Sequence, residues 1–390
     1  MSDNSLSLAE DFSLTRGGPM HRVLVLLGNA GDERQRVVRR ALAIALITWL
    51  PLLVLSLLHG DAYGTGVRLP FLRDFAVNVR FLIAVPILIL AESSIDRRWR
   101  ILVVHFLKSG LVPEEELPSF AAAIEKTTRR RDRIWPEAFM ALAAFLPVIL
   151  LRTELLMSGL SNWHGIGQIS PAGWWFNLVS TPIFRFLMFR WLWRMVLWTA
   201  FLWRVSRLHL FYVATHTDLA AGLGFLSEGQ KAFSPIVFAG GAVIAAQVAN
   251  VITYQGATLS SEQLPMIAYG VLAILFLLAP LLVVTPVLIK VKRNALREFG
   301  ALVTKHNQLF ERKWLQQEKR SEEVMLGNPD ASSLEDLGSS FTVIRQMGIV
   351  PIDKQTLIAL ALAAALPMIV VALYATPAND LIRLVLKMLG

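Results

Sequence analysis

The chain contains no cysteine among its 390 residues. It can therefore form no disulfide, no thiolate metal site and no cysteine nucleophile. It also lacks the G-x-S-x-G elbow of serine hydrolases and the H-E-x-x-H helix of zinc proteases. Its acidic pairs lie in segments that we expect to be solvated. We therefore expect neither an enzyme nor a bound cofactor or metal.

Charged residues are also scarce, at 17% of the chain against 55% hydrophobic residues. The mean hydropathy of +0.53 is too high for an ordinary soluble domain. A formal charge of +9 would suggest nucleic acid as the partner of a soluble protein. Here the basic residues flank apolar runs, where they orient helices and contact anionic headgroups. We expect membrane lipids, and no nucleic acid, as partners.

The apolar runs predict an all-α, polytopic bundle of about seven transmembrane helices. Four arginines in the segment 33–40 directly precede the first run. By the positive-inside rule they place the N-terminus in the cytoplasm, and an odd number of spans then places the C-terminus outside. The predicted spans are 41–58, 76–93, 136–156, 174–208, 235–256, 266–290 and 355–374.

The same pattern divides the chain into segments. They are a cytoplasmic N-terminal segment 1–37, a transmembrane hairpin 38–93, a cytoplasmic helical segment 94–135, a four-helix transmembrane bundle 136–290 with a cytoplasmic or re-entrant loop 207–234, a cytoplasmic helical extension 291–354, and a last span with an interfacial tail, 355–390.

Two of these regions predict contacts beyond the bundle. The extension after the sixth span carries apolar residues at spacings of three, four and seven, which indicates an amphipathic helix. We expect that helix to pack on 115–131 or on another subunit. The span 235–256 is rich in glycine and alanine, which lets another backbone approach closely. Together these features favour a homo-oligomer.

The apolar stretch 174–208 carries arginines inside a segment long enough to cross a bilayer. A charge at hydrocarbon depth is costly, so such an arginine has an ion-pair partner, a water-filled cavity or a function. At 100° per residue, three of these arginines share an arc of about 80° on a helix. They are Arg190, Arg194 and Arg204, whereas Arg185 points elsewhere.

This shared arc has two interpretations. In the functional one, the arginines form an anion-attracting face that lines a pore or a carrier site. In the structural one, Arg204 lies in the cytoplasm, Arg194 extends toward the interface, and Arg190 pairs with a carboxylate such as Glu92 or with backbone carbonyls.

The start of this helix also has two alternatives. Trp174 and Trp175 could lie in the outer aromatic belt. Alternatively, Thr181 could cap a helix whose first residue is Pro182.

Two further groups of residues are candidate binding sites. Gln247 and Asn250 share a face of the fifth span, where they either line a hydrated path or hydrogen-bond to a neighbouring helix. The loop after the arginine helix contains the other group: His216, Asp218, Gly222 and Gly224. Its turn amides could hold an anion or a lipid phosphate, or the loop could simply cap a helix. The spacing fits no standard zinc motif.

Three segments carry a family resemblance: HTDLAAGLGFL, FERKW and LGNPDASSLEDLGSSF. Together they resemble a group of bacterial multi-pass inner-membrane proteins, over about half of the chain from the middle onward. In that group the first segment is closer to His-Pro-Asp with a double glycine, from which Thr217 and Ala221 depart. The resemblance implies a bacterial inner membrane as location and implies no activity.

The leading functional hypothesis is an oligomeric anion channel or carrier. Arg190 and Arg194 would attract the ion, and Gln247 and Asn250 would supply polar contacts. The alternative is a non-transporting membrane scaffold or sensor whose cytoplasmic helices bind a partner or anionic lipid.

Overall fold

The computed structural model describes residues 3–19, 33–150, 161–165, 168–315 and 329–376. These ranges are built from helices and contain no strands, which confirms the all-α class. The helices are α1 Asp3–Glu10, α2 Glu33–His59, α3 Phe75–Lys108, α4 Leu117–Arg131, α5 Ile134–Leu150, α6 Thr181–Val205, α7 Phe225–Lys231, α8 Ser234–Gln255, α9 Gln263–Leu282, α10 Thr285–Trp314, α11 Pro329–Gln346 and α12 Lys354–Ala375.

Among the described helices, five segments are long and apolar enough to cross a membrane, as an integral membrane protein requires. They are Gln35–His59, Phe75–Lys108, Phe225–Gln255, Gln263–Leu282 and Lys354–Ala375. Two predicted spans are not among them. The apolar stretch Ile134–Leu146 of α5 is shorter, and α6 carries the arginines.

The count of seven spans and the orientation of the chain stay predictions. The last part of the third predicted span, 151–156, lies outside the described residues. The predicted interfacial tail near the C-terminus also lies outside them. The segment boundaries drawn from the sequence are likewise untested.

The helices α3 and α6 begin in the same way. Asp74 caps the first by accepting the N–H of Val77, and Ser170 caps a short helix, Pro171–Trp175, that leads into α6. Each cap is followed by a five-residue α-helical turn and then by a five-residue π-helical turn, at Arg80–Ala84 and Phe176–Ser180.

A proline follows both π turns at the same place, twelve residues after the cap: Pro86 in α3 and Pro182 in α6. Proline has no N–H to donate and its ring crowds the preceding turn. The wider π turn lets the helix continue through it. The short helix, the π turn and α6 therefore form one continuous helix that starts at Pro171 and has Trp174 and Trp175 in its first turns. Thr181 lies inside this helix and does not cap it.

The N-terminal segment is part of the packed interior, which the sequence did not indicate. Phe12 is fully buried, and its ring lies 5.3 Å from that of Phe201 on α6. The segment is held by Asp96 of α3, whose Oδ1 accepts the Ser13 hydroxyl at 2.8 Å and the Leu14 N–H at 3.0 Å. Arg131 of α4 also donates to the Ser13 carbonyl, at 2.6 Å. The segment thus joins α3, α4 and α6.

The amphipathic helix α10 packs against α11. Among the described residues, 115–131 is not a main contact of α10, and the alternative of another subunit stays a prediction. Lys313 Nζ lies 2.7 Å from the Asp330 carboxylate near one end of this pair. At the other end, Lys292 Nζ donates to the Met347 carbonyl at 2.6 Å. The two helices form a hairpin beyond the last apolar turns of α9.

Candidate functional site

Arg190 and Arg194 meet a single carboxylate inside the bundle. Arg194 Nη2 donates to Glu92 Oε1 at 2.9 Å, and Arg190 Nη1 lies 3.5 Å from the same oxygen. The side chain of Arg194 is 3% exposed, that of Arg190 9% and that of Glu92 17%. Two helices therefore share one buried ion-pair cluster, with the carboxylate on α3 and both guanidinium groups on α6.

Aromatic rings enclose this cluster. The guanidinium of Arg194 lies over the Trp191 ring, 4.7 Å from its centroid, a favourable cation–π distance. The Trp191 indole N–H donates to the Leu88 carbonyl at 3.2 Å, which fixes that ring against α3. One turn further along, Trp99 and Trp198 stack with their centroids 5.7 Å apart. The rings pack α3 and α6 together on both sides of the charges.

The structure separates the other two arginines from this cluster. Arg204 Nη1 donates to the Thr127 hydroxyl of α4 at 3.1 Å. Arg185 Nη1 donates to the Ala144 carbonyl of α5 at 3.3 Å. The predicted arc therefore brings together Arg190 and Arg194 only. The structural interpretation named the contact between Arg190 and Glu92. It was wrong for Arg194, which does not extend toward the interface but is buried and makes the shorter contact with Glu92.

Asn250 hydrogen-bonds across a helix interface near the start of α3. Its Nδ2 donates to Asp74 Oδ1 at 2.8 Å, and its Oδ1 accepts the Phe75 N–H at 3.0 Å. The Trp163 indole N–H donates to Asp74 Oδ2 at 2.9 Å. The buried carboxylate of Asp74 thus joins α3, α8 and the loop before α6. Gln247 does not take part, because its side chain is exposed on the surface of α8.

A buried histidine adjoins this network. His164 stacks on Trp163 with the ring centroids 3.8 Å apart. Burial lowers the pKa of His164 to about 4, although the nearby Asp74 carboxylate opposes this shift. The imidazole is therefore neutral at physiological pH.

The loop between α6 and α7 is organised around Asp218. Its carboxylate accepts the backbone N–H groups of Ala220, Gly222 and Gly224 at 2.9, 3.1 and 2.8 Å. His216 Nδ1 lies 2.9 Å from Asp218 Oδ1. The amides that could have held an external anion or lipid phosphate, one of the two alternatives for this loop, therefore already donate to a carboxylate of the same loop.

Backbone geometry explains the two glycines of this loop. Gly222 has a φ of +90°, and a Cβ added at Gly224 would lie 2.8 Å from the Cβ of Asp218. Leu219 and Ala221 also have positive φ, 57° and 55°, a conformation that costs free energy for residues with a side chain. The hydrogen bonds to Asp218 offset this strain.

Burial raises the pKa of the Asp218 carboxyl, but its three backbone N–H donors and His216 lower it by more. The net effect is a pKa below the ordinary aspartate value. The carboxylate is thus charged in the folded loop at neutral pH.

The residues that sequence reasoning missed are Asp74 and Asp96. A signal for Asp74 was present, since an aspartate directly before an apolar helix is typical of an N-cap. Asp96 has one local partner, Arg100, at 3.5 Å on the same helix. Its hydrogen bonds to the N-terminal segment join residues more than eighty positions apart, and no local pattern marks them. Within the described ranges, no three histidine, aspartate or glutamate side chains lie close enough together to hold a metal ion.

No family model, curated protein or solved structure matches the chain.

The Asp218 loop yields a pH-dependent prediction. Replacing Asp218 by asparagine should lower the free energy of opening the loop by about 2 kcal/mol at pH 7, because a charged acceptor of three N–H groups is lost. Hydrogen exchange of the Gly222 and Gly224 amides should then be roughly thirtyfold faster.

The folded pKa lies below the unfolded value of about 3.9. The stabilisation is therefore fully present above that value and is lost as the pH falls through the folded pKa. The exchange rates of the wild type and of Asp218→Asn should begin to converge below about pH 4, as the Asp218 carboxylate of the folded loop takes up a proton. The control His216→Gln keeps the three backbone contacts and should retain most of the protection. A difference that persists unchanged to pH 2 would contradict this account.

Proposed function

We propose that the protein is a non-transporting integral membrane protein, a scaffold or sensor whose cytoplasmic helices bind a partner. The observation that carries this proposal is the Glu92–Arg190–Arg194 cluster. An arginine that attracts a permeating ion needs donors that face a hydrated path. In this cluster the best-buried guanidinium donates to a carboxylate and lies against an indole ring.

The cost of burying charge supports the same conclusion. Removing one member of a buried ion pair leaves an uncompensated charge and costs about 3–5 kcal/mol. A transported anion would have to replace Glu92 as the partner of the guanidinium groups at a comparable cost. The cluster therefore favours a fixed joint between α3 and α6 over a transient ion site.

The cytoplasmic hairpin α10–α11 supports the binding part of the proposal. Leu302 and Leu309 of α10 remain 51% and 55% exposed although α11 packs on the same helix. The two leucines are seven residues apart and therefore lie on one face of the helix, and exposed apolar side chains that adjoin one another mark interaction sites. We place this hairpin in the cytoplasm and the protein in a bacterial inner membrane, and the proposal includes no enzymatic step.

A second candidate function is the anion channel or carrier. One observation favours it: two guanidinium groups share one carboxylate, so the cluster has an excess of positive charge. Arg194 Nη1 is buried and has no hydrogen-bond partner among the described residues. A small anion would neutralise this excess.

Flux measurements distinguish the two candidates. We expect chloride efflux from sealed liposomes containing the purified protein to equal that from empty liposomes, with a potassium ionophore present to dissipate the membrane potential. The double substitution Arg190→Gln/Arg194→Gln should leave this background unchanged.

The matched control for this experiment is Arg185→Gln, which removes one arginine of the same helix outside the cluster. Efflux above background that disappears in the double variant and persists in the control would overturn the scaffold proposal and establish the anion pathway.

We also propose that the protein forms a homo-oligomer. Gln247 lies in the middle of a candidate span, yet its side chain is exposed and has no hydrogen-bond partner among the described residues. An amide in contact with lipid tails would leave its polar groups unsatisfied, and a second copy could satisfy them by an amide–amide contact.

The absence of native cysteine makes this contact directly testable. Gln247→Cys should form a disulfide-linked dimer in membranes under mild oxidation, because a symmetric contact places both thiols together. Val271→Cys, at an exposed position on α9, serves as the control and should remain monomeric. Equal cross-linking of both variants, or of neither, would contradict a specific interface at Gln247.

A further inference from the structure

A cleft of about 520 Å³ opens between α4, α6 and α9, away from the Glu92 cluster. Its polar part is contributed by Lys126 and Arg130 of α4 and by Arg204 of α6. Its other side is apolar. The apolar lining comprises Met195, Val196, Ala200, Trp203, Phe276, Ala279 and Val283.

The polar part of the cleft is cationic. Lys126 and Arg130 are exposed and have no acidic partner among the described residues. Arg204 donates through Nη1 to the Thr127 hydroxyl, and its other N–H groups are not used by that bond. Among the described residues, no carboxylate belongs to the lining. The nearest acidic neighbour in sequence, Glu125, pairs with Arg129 at 3.1 Å, outside the cleft.

The apolar part of the cleft faces outward from the helices. Val196, Trp203 and Phe276 are 53%, 48% and 41% exposed. Phe276 belongs to α9, the candidate span with the smallest share of its residues buried by the rest of the chain. Such a surface is normally covered by lipid tails.

The cationic part and the apolar part of the cleft follow one another along the axis of α6. Val196 and Arg204 are eight residues apart, which corresponds to about 12 Å along a helix. Three cations therefore lie at one end of an apolar groove, at the junction of a basic interfacial helix with a candidate span. Basic pockets between helices on the cytoplasmic side are typical of sites for anionic lipid headgroups.

We propose that this cleft binds an anionic phospholipid. The phosphate contacts Lys126, Arg130 and the free N–H groups of Arg204, and an acyl chain covers Val196 and Phe276. Charge complementarity selects an anion, and the apolar wall selects one with a hydrocarbon chain. The inference goes beyond the proposed function, because it holds whether or not the protein transports anions.

Native mass spectrometry of the purified full-length protein in neutral detergent tests this site. The sample contains equal amounts of phosphatidylglycerol and phosphatidylcholine, and the number of bound lipids of each kind is counted. The wild type should bind phosphatidylglycerol preferentially. Lys126→Gln/Arg130→Gln should weaken its binding by about 25-fold, since each basic side chain at an anionic headgroup contributes about fivefold.

Two control variants test whether the loss of phosphatidylglycerol binding arises in the cleft. Arg129→Gln removes one positive charge from the same helix outside the cleft and should change binding less than twofold. Ala279→Trp fills the apolar wall without changing the charge and should also reduce phosphatidylglycerol binding. Both positions are exposed, so both variants are expected to fold.

Three outcomes would overturn the proposal. The first is equal binding of the two lipids by the wild type. The second is a loss in Arg129→Gln as large as that in the double variant. The third is competition by inorganic phosphate at the concentration of the lipid, which would indicate a site for a soluble anion. The liposome flux result affects none of these, so the two proposals can fail separately.

Discussion

The Glu92 carboxylate is the constraint on which the centre of the molecule depends. It lies inside an apolar bundle and holds two guanidinium groups of a neighbouring helix. A buried carboxylate is stable as a charge only while its partners stay in place. The relative rotation of α3 and α6 is therefore fixed, and the aromatic rings around Arg194 pack in one arrangement. The arginine face for which we considered an anion pathway thus forms, in the structure, the ion-pair contact between α3 and α6.

Buried carboxylates join α3 to other elements at two further positions, so that α3 connects most of the described residues. Asp74 at its start joins α8 and the loop before α6. Glu92 in its middle holds α6, and Asp96 one turn later holds the N-terminal segment. Each buried carboxylate accepts hydrogen bonds from a different element. The helix that organises the fold is thus α3, although the unusual composition of α6 is what attracts attention in the sequence.

The sequence predicted the features that depend on local pattern. Long apolar runs predicted an all-α membrane protein, and the arginine spacing placed Arg190 and Arg194 on one face. The pairing with Glu92 and the cross-helix bond of Asn250 were alternatives that the sequence left open. Both depend on which helices are neighbours, and hydrophobic periodicity does not contain that information. The anchoring of Phe12 was invisible for the same reason.

The loop around Asp218 shows a different limit of prediction from sequence. Its glycines suggested an anion site because exposed turn amides attract negative charge. The loop supplies that charge itself, through a carboxylate only two to six residues away. The cationic cleft was missed because Lys126 and Arg130 belong to a charge cluster that resembles an ordinary topology signal. These two cations form part of a candidate lipid site only because α9 places an apolar wall beside them.

A double-mutant cycle between Glu92 and Arg194 tests the central claim most directly. The free energy of unfolding is measured in detergent for the wild type, Glu92→Gln, Arg194→Gln and the double variant. A structural joint predicts a coupling energy of at least about 1.5 kcal/mol, because the shortest hydrogen bond of the cluster joins Glu92 to Arg194 and either single change already removes it. A coupling energy indistinguishable from zero would contradict the claim that this ion pair holds α3 and α6 together.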